Sequence, residues 1–262
     1  MKRFLIIIAA LFTPYTLMAK GEYPNFTGEI LSELRTDRIF EHNIRNRTIE
    51  KSSSYLNFEL KSKLSFNEKW SLQQSINLFP ARTRQYVYPE RSRFILGQNQ
   101  ANERGVNIED STLIVEELKT VFENEEMKFQ FGKFNPTFAT LYRRNKRIGF
   151  FITDFTEDYE LREKLGFSIS ALLDDSKITL NSFFNDTTDL SDSAINSRTK
   201  LQDNNGIAGS NGTLSSYSLT MEGRDFFGIT NLFYNFGYRN LGTDKVVTNT
   251  SREKGYTFNL EY

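Results

Sequence analysis

Three features of the 262-residue chain predict an all-β protein, a transmembrane antiparallel β-barrel of about ten strands. Segments of roughly ten residues alternate apolar and polar side chains, the period of a strand with one greasy and one wet face. The gaps between them alternate as well: about three or four residues, then about fifteen to thirty, through to the last strand, as in barrels with short periplasmic turns and long extracellular loops. The polar faces carry Lys and Glu, which a dry core tolerates only when every charge is paired. A soluble sandwich would account for the alternation, but not for long loops gathered at one end.

The chain opens with Lys2 and Arg3, continues through the apolar run from Phe4 to Phe12, and reaches Pro14 and the small residue Ala19. This is the form of a secretory signal peptide over 1–19, which leaves 20–262 as a single transmembrane β-barrel domain. Leu17 is larger than the usual residue at its place, so cleavage a residue or two away fits equally. Nine apolar residues are too few to span a bilayer, which needs about 20. The chain has no Cys, which excludes a lipoprotein anchor, disulfides, thiolate metal sites and Cys nucleophiles. Removing Lys2 and Arg3 leaves 31 basic against 33 acidic residues, so net charge implies no nucleic-acid partner. The 24 Phe and 12 Tyr suit a barrel with aromatic girdles at the membrane interfaces.

Ten strands are predicted over 24–36, 54–66, 70–80, 108–122, 127–134, 164–173, 177–186, 214–222, 226–236 and 254–262. The clearest hairpin is the second and third. Leu56, Phe58, Leu60, Leu64 and Phe66 share one face, and Asn57, Glu59, Lys61, Lys63 and Ser65 the other. Asn67-Glu68-Lys69 turns the chain, and Trp70 falls at girdle depth beside the turn. Met127, Phe129 and Phe131 alternate with Lys128, Gln130 and Gly132; Leu165, Phe167, Ile169 and Ala171 alternate with Gly166, Ser168 and Ser170. Asp174-Asp175-Ser176 and Gly223-Arg224-Asp225 supply further short turns. Around 108–122 and 226–236 both faces carry apolar residues, which leaves their register open. The last strand ends on an aromatic, Tyr262, a form that barrel-insertion machinery reads.

The apolar faces are expected to meet outer-membrane lipid and the polar faces to line a lumen, with Glu59, Lys61, Lys63, Gln73, Lys128 and Gln130 as its lining. The connection over 135–163 holds Arg143, Arg144 and Arg147, then Asp154, Glu157 and Asp158. Folded inward on Gly149, Phe150, Phe151 and Phe155, it would set basic and acidic rows across a constriction and so bias ion passage. Left outside, the same charges would face lipopolysaccharide phosphates or water. The Arg-rich 80–93 stretch reads as surface. His42, with Asp37 and Glu41 nearby, is the sole histidine and has no motif around it, so an outer-membrane hydrolase is the least favoured reading. No metal cluster, phosphate loop or cofactor motif is present in the sequence.

At Phe129-Gln-Phe-Gly-Lys-Phe-Asn-Pro136, followed by Asp158-Tyr-Glu-Leu-Arg-Glu-Lys-Leu-Gly-Phe-Ser-Ile-Ser-Ala171, the chain resembles proteobacterial porin-like outer-membrane proteins. The resemblance is strongest over roughly 110–262 and implies a passive pore for small hydrophilic solutes, a homo-oligomer (often a trimer), and no catalytic residue. Such porins look 16-stranded, whereas about ten strands are found here. A closed ten-stranded barrel would be narrow or plugged, and the front part of a longer porin would show the same rhythm. The function expected is therefore a porin-like channel in the outer membrane. The alternative is a non-conducting surface barrel whose long loops mediate binding or adhesion.

Overall fold

The computed structural model describes residues 23–38, 52–80, 111–138, 161–195, 208–243 and 252–262. Ten strands follow one another: β1 (Asn25–Arg38), β2 (Ser52–Ser65), β3 (Trp70–Pro80), β4 (Ser111–Glu123), β5 (Met127–Phe134), β6 (Lys164–Leu173), β7 (Ser176–Asn185), β8 (Ser216–Gly223), β9 (Phe233–Leu241) and β10 (Glu253–Glu261). Each pairs antiparallel with its neighbours in chain order, forming one ten-stranded sheet. The all-β class, the strand number and the antiparallel order agree with the sequence. Closure does not appear: among the described residues β1 pairs only with β2 and β10 only with β9. The expected signal segment and His42 lie outside the described residues.

Directly opposed residues share a face, so the register sorts the sheet. One cross-strand row runs Asn25, Ser65, Ser71, Val121, Gln130, Ser168, Asn181, Ser218, Arg239 and Gly255. On this largely polar face Ser168, Asn181, Ser218 and Thr220 are 0–2 % exposed, while Ile169, Leu180 and Leu219 on the opposite face are 40–45 % exposed. A water-soluble fold arranges the two the other way round, because burial of apolar area drives its folding. A single sheet has no second layer to cover it. Its polar side chains lose access to solvent where the sheet curls onto that side and where the chain folds across it.

The apolar face ends in aromatics near the short turns. Trp70 lies beside Phe122 on β4, with ring centroids 5.1 Å apart. Farther round, Phe226, Tyr234, Phe236 and Phe258 form a run with centroids 4.7–5.8 Å apart. Two of the short turns share one device: the Asn67 carboxamide oxygen accepts from the amides of Lys69 and Trp70, and Asn124 does the same for Glu126 and Met127.

Two strands with apolar residues on both faces are clarified. In β4 a bulge shifts the register between Ser75 and Ile76 of its partner, so Glu117 opposes Ser75 while Val115 opposes Ile76. Glu116 is the extra residue, which is why a single alternation does not fit the segment. The predicted ninth strand is corrected: it begins at Phe233, not 226. Phe226–Gly228 forms a 3-10 turn, and Asp225, Phe227 and Asn231 are left-handed. The aromatic pair that looks like strand is turn material, with Phe227 projecting fully outward.

Candidate functional site

The six residues expected to line a lumen fall on one face. Glu59 opposes Asn77, Lys61 opposes Ser75, and Lys63 opposes Gln73. Lys128 and Gln130 oppose Ser170 and Ser168. The face divides by charge. Its β2–β5 part carries Glu59, Lys61, Lys63, Glu116, Glu117, Lys119 and Lys128; the middle of β6–β9 carries neutral Ser168, Ser170, Thr179, Asn181, Ser218, Thr220 and Asn235. The neutral part is closed to solvent. The charged part is open at Lys61, half exposed beside Glu59 at 3.2 Å, and at Lys63.

The chain closes the neutral part itself. After β5, Pro136 cannot continue a ladder, and residues 135–138 turn across the polar face rather than away from it. The Thr137 carbonyl accepts from the hydroxyls of Ser218 (2.9 Å) and Thr220 (3.1 Å) and from the Asn181 carboxamide (3.3 Å). The Phe138 ring lies 4.9 Å from the Arg239 guanidinium and packs with Leu161, Phe183 and Leu241 in a small apolar cluster. Gly237 makes the berth, because a Cβ there would overlap the Phe138 carbonyl oxygen. Since Phe138 and Leu161 flank 139–160, both ends of this connection are held on the polar face. Arg143, Arg144, Arg147, Asp154, Glu157 and Asp158 lie outside the described residues, as do Gly149, Phe150, Phe151 and Phe155.

Two polar clusters, one half-buried and one buried, fix the departure point. The β4 bulge brings both Glu116 and Glu117 to Asn135: Asn135 donates its side-chain amide to Glu116 (3.1 Å) and its backbone amide to Glu117 (3.2 Å). Asn77 also donates to Glu116, and Lys119 pairs with Glu117 at 2.9 Å. By alternation Lys133 belongs to the apolar face, yet its side chain is 0 % exposed. The segment after β7 covers it: Lys133 Nζ lies 2.8 Å from Asp186 and 3.2 Å from Glu163, and donates to the Leu190 carbonyl at 2.9 Å. This segment then joins the β4 edge that β5 has left, with the Ala194 amide donating to the Leu113 carbonyl and the Leu113 amide to the Ser193 hydroxyl.

Phe138, Gly237 and Lys133 are not among the residues the sequence singled out, though each left a trace. A lone Gly inside an alternating strand marks a bulge or a close backbone approach. A Lys in an otherwise apolar row marks a place where something must cover it. No group of three or more potential metal ligands occurs among the described residues. No family model matches the chain, and no curated protein matches it.

Proposed function

We propose that the chain closes as a ten-stranded barrel in an outer membrane and acts as a narrow, porin-like diffusion channel for small hydrophilic solutes. The observation that carries this reading is the reversed polarity of the sheet, with buried Ser, Thr and Asn on one face and exposed Ile, Leu and aromatics on the other. That arrangement suits lipid outside and water inside. On this reading the apolar face meets lipid and lipopolysaccharide, insertion machinery delivers the chain, and copies associate as oligomers. Solutes follow the open β2–β5 wall, past Glu59, Lys61, Lys63, Gln73, Lys128 and Gln130, because the β6–β9 side is filled by residues 135–138 and by its own side chains. The channel is therefore off-centre and lined by charge on one side.

The test is single-channel conductance of the mature chain in a planar bilayer, followed by the Lys61→Glu/Lys63→Glu double variant. Discrete steps are expected from the parent, and the reversal potential of the variant should move toward cations by about two-fold or more in permeability ratio. Silence from protein shown to be inserted would replace the pore by a non-conducting surface barrel. Steps with unmoved selectivity would place the aqueous path elsewhere.

A further inference from the structure

Resting on that membrane reading, we propose that the free edges of β1 and β10 pair with each other, antiparallel, with Ser32 directly opposite Leu260. The register argues for it. The row that starts at Asn25, the first residue of β1, arrives at Gly255 on β10, near the long-loop end of that strand. The pairing thus climbs as it crosses the sheet, which is the shear a sheet needs in order to close. An even number of strands makes β1 and β10 run in opposite directions, as antiparallel pairing requires. In lipid neither edge could keep its amides and carbonyls unpaired, since no water reaches them.

Chemistry selects the register. Side chains alternate with a period of two, so only slips of two residues keep polar positions on the polar face. With Ser32 opposite Leu260, Glu261 meets Leu31, residues 254–261 lie against 31–38, and Phe258 meets Leu34. Moving β1 by two residues either way sets Glu29 or Glu33 directly opposite Glu261, and like charges in that position are unfavourable. The chosen pairing corresponds to a shear of about 12 and a strand tilt of about 40°, within the range of closed barrels. The one like-charge pair that it creates, Lys254 with Arg38, falls at the long-loop end.

The chain has no cysteine of its own, so engineered pairs report without background. Leu260→Cys is combined in turn with Ile30→Cys, Ser32→Cys and Leu34→Cys, the variants are inserted into liposomes, flotation verifies insertion, and each is oxidised. Opposed Cβ atoms are close enough for a disulfide and diagonal ones are not. The Ser32→Cys/Leu260→Cys chain should form an intramolecular link in at least about five-fold higher yield than the other two. A dominant link to position 30 or 34 would overturn the register. A disulfide-linked dimer would show that a second copy fills the edges. No link at any pair in floated protein would overturn the edge pairing alone, and failure to float would overturn the membrane reading with it.

Discussion

A Gly237→Val chain is expected to conduct more than its parent, by about two-fold or more. The added Cβ would overlap the Phe138 carbonyl and the Thr257 methyl, and one side must yield. β9 is held by ladders on both flanks. Residues 135–138 are held there by the three bonds to the Thr137 carbonyl and by the Phe138 packing, each bond worth about 1 kcal/mol net. The inserted segment gives way, Phe138 leaves its berth, and the neutral part of the polar face opens to water. Ser218→Ala with Thr220→Val removes two donors without adding bulk, and should raise conductance by a smaller factor. Unchanged conductance from well-inserted Gly237→Val protein would mean that the segment does not border the path.

Lys133→Met should cost about 3–5 kcal/mol of stability, the usual loss when one partner of a buried ion pair is removed. Methionine fills most of the volume, so the effect is electrostatic rather than a cavity. Asp186 is fully buried with Lys133 at 2.8 Å, and without the ammonium its carboxylate loses the cation that pairs with it directly. Because the cover over Lys133 also completes the β4 edge through Leu113, the damage should spread to that edge. Urea unfolding in detergent micelles measures the loss. Adding Asp186→Asn to Lys133→Met should restore at least about 1 kcal/mol, since it removes the stranded charge. A loss below about 1 kcal/mol for the single variant would show that water reaches the site.

Much of the sheet was legible because alternation is a local property. Lys61 and Lys63 fall between apolar neighbours, and nothing distant is needed to sort them onto one face. The ninth strand misled for a local reason of another kind: Phe226 and Phe227 have strand-like side chains, but left-handed backbone at Asp225 and Phe227 commits them to a turn. β4 could not be phased because the bulge at Glu116 breaks the period on which phasing depends.

The sequence by itself determined that ten amphipathic strands are joined by alternating short and long connections, and, outside β4 and β9, which residues share the polar face, because side-chain direction in a regular strand follows from position alone. Only the tertiary structure decided which face is sheltered, that residues 135–138 fold across it into the space left by Gly237, and that Lys133 in the apolar row is covered by the segment that follows β7. Those outcomes depend on contacts between residues as distant in the chain as Thr137 and Thr220. No local period encodes such contacts; they follow from how far the sheet curls and from which buried charges find partners.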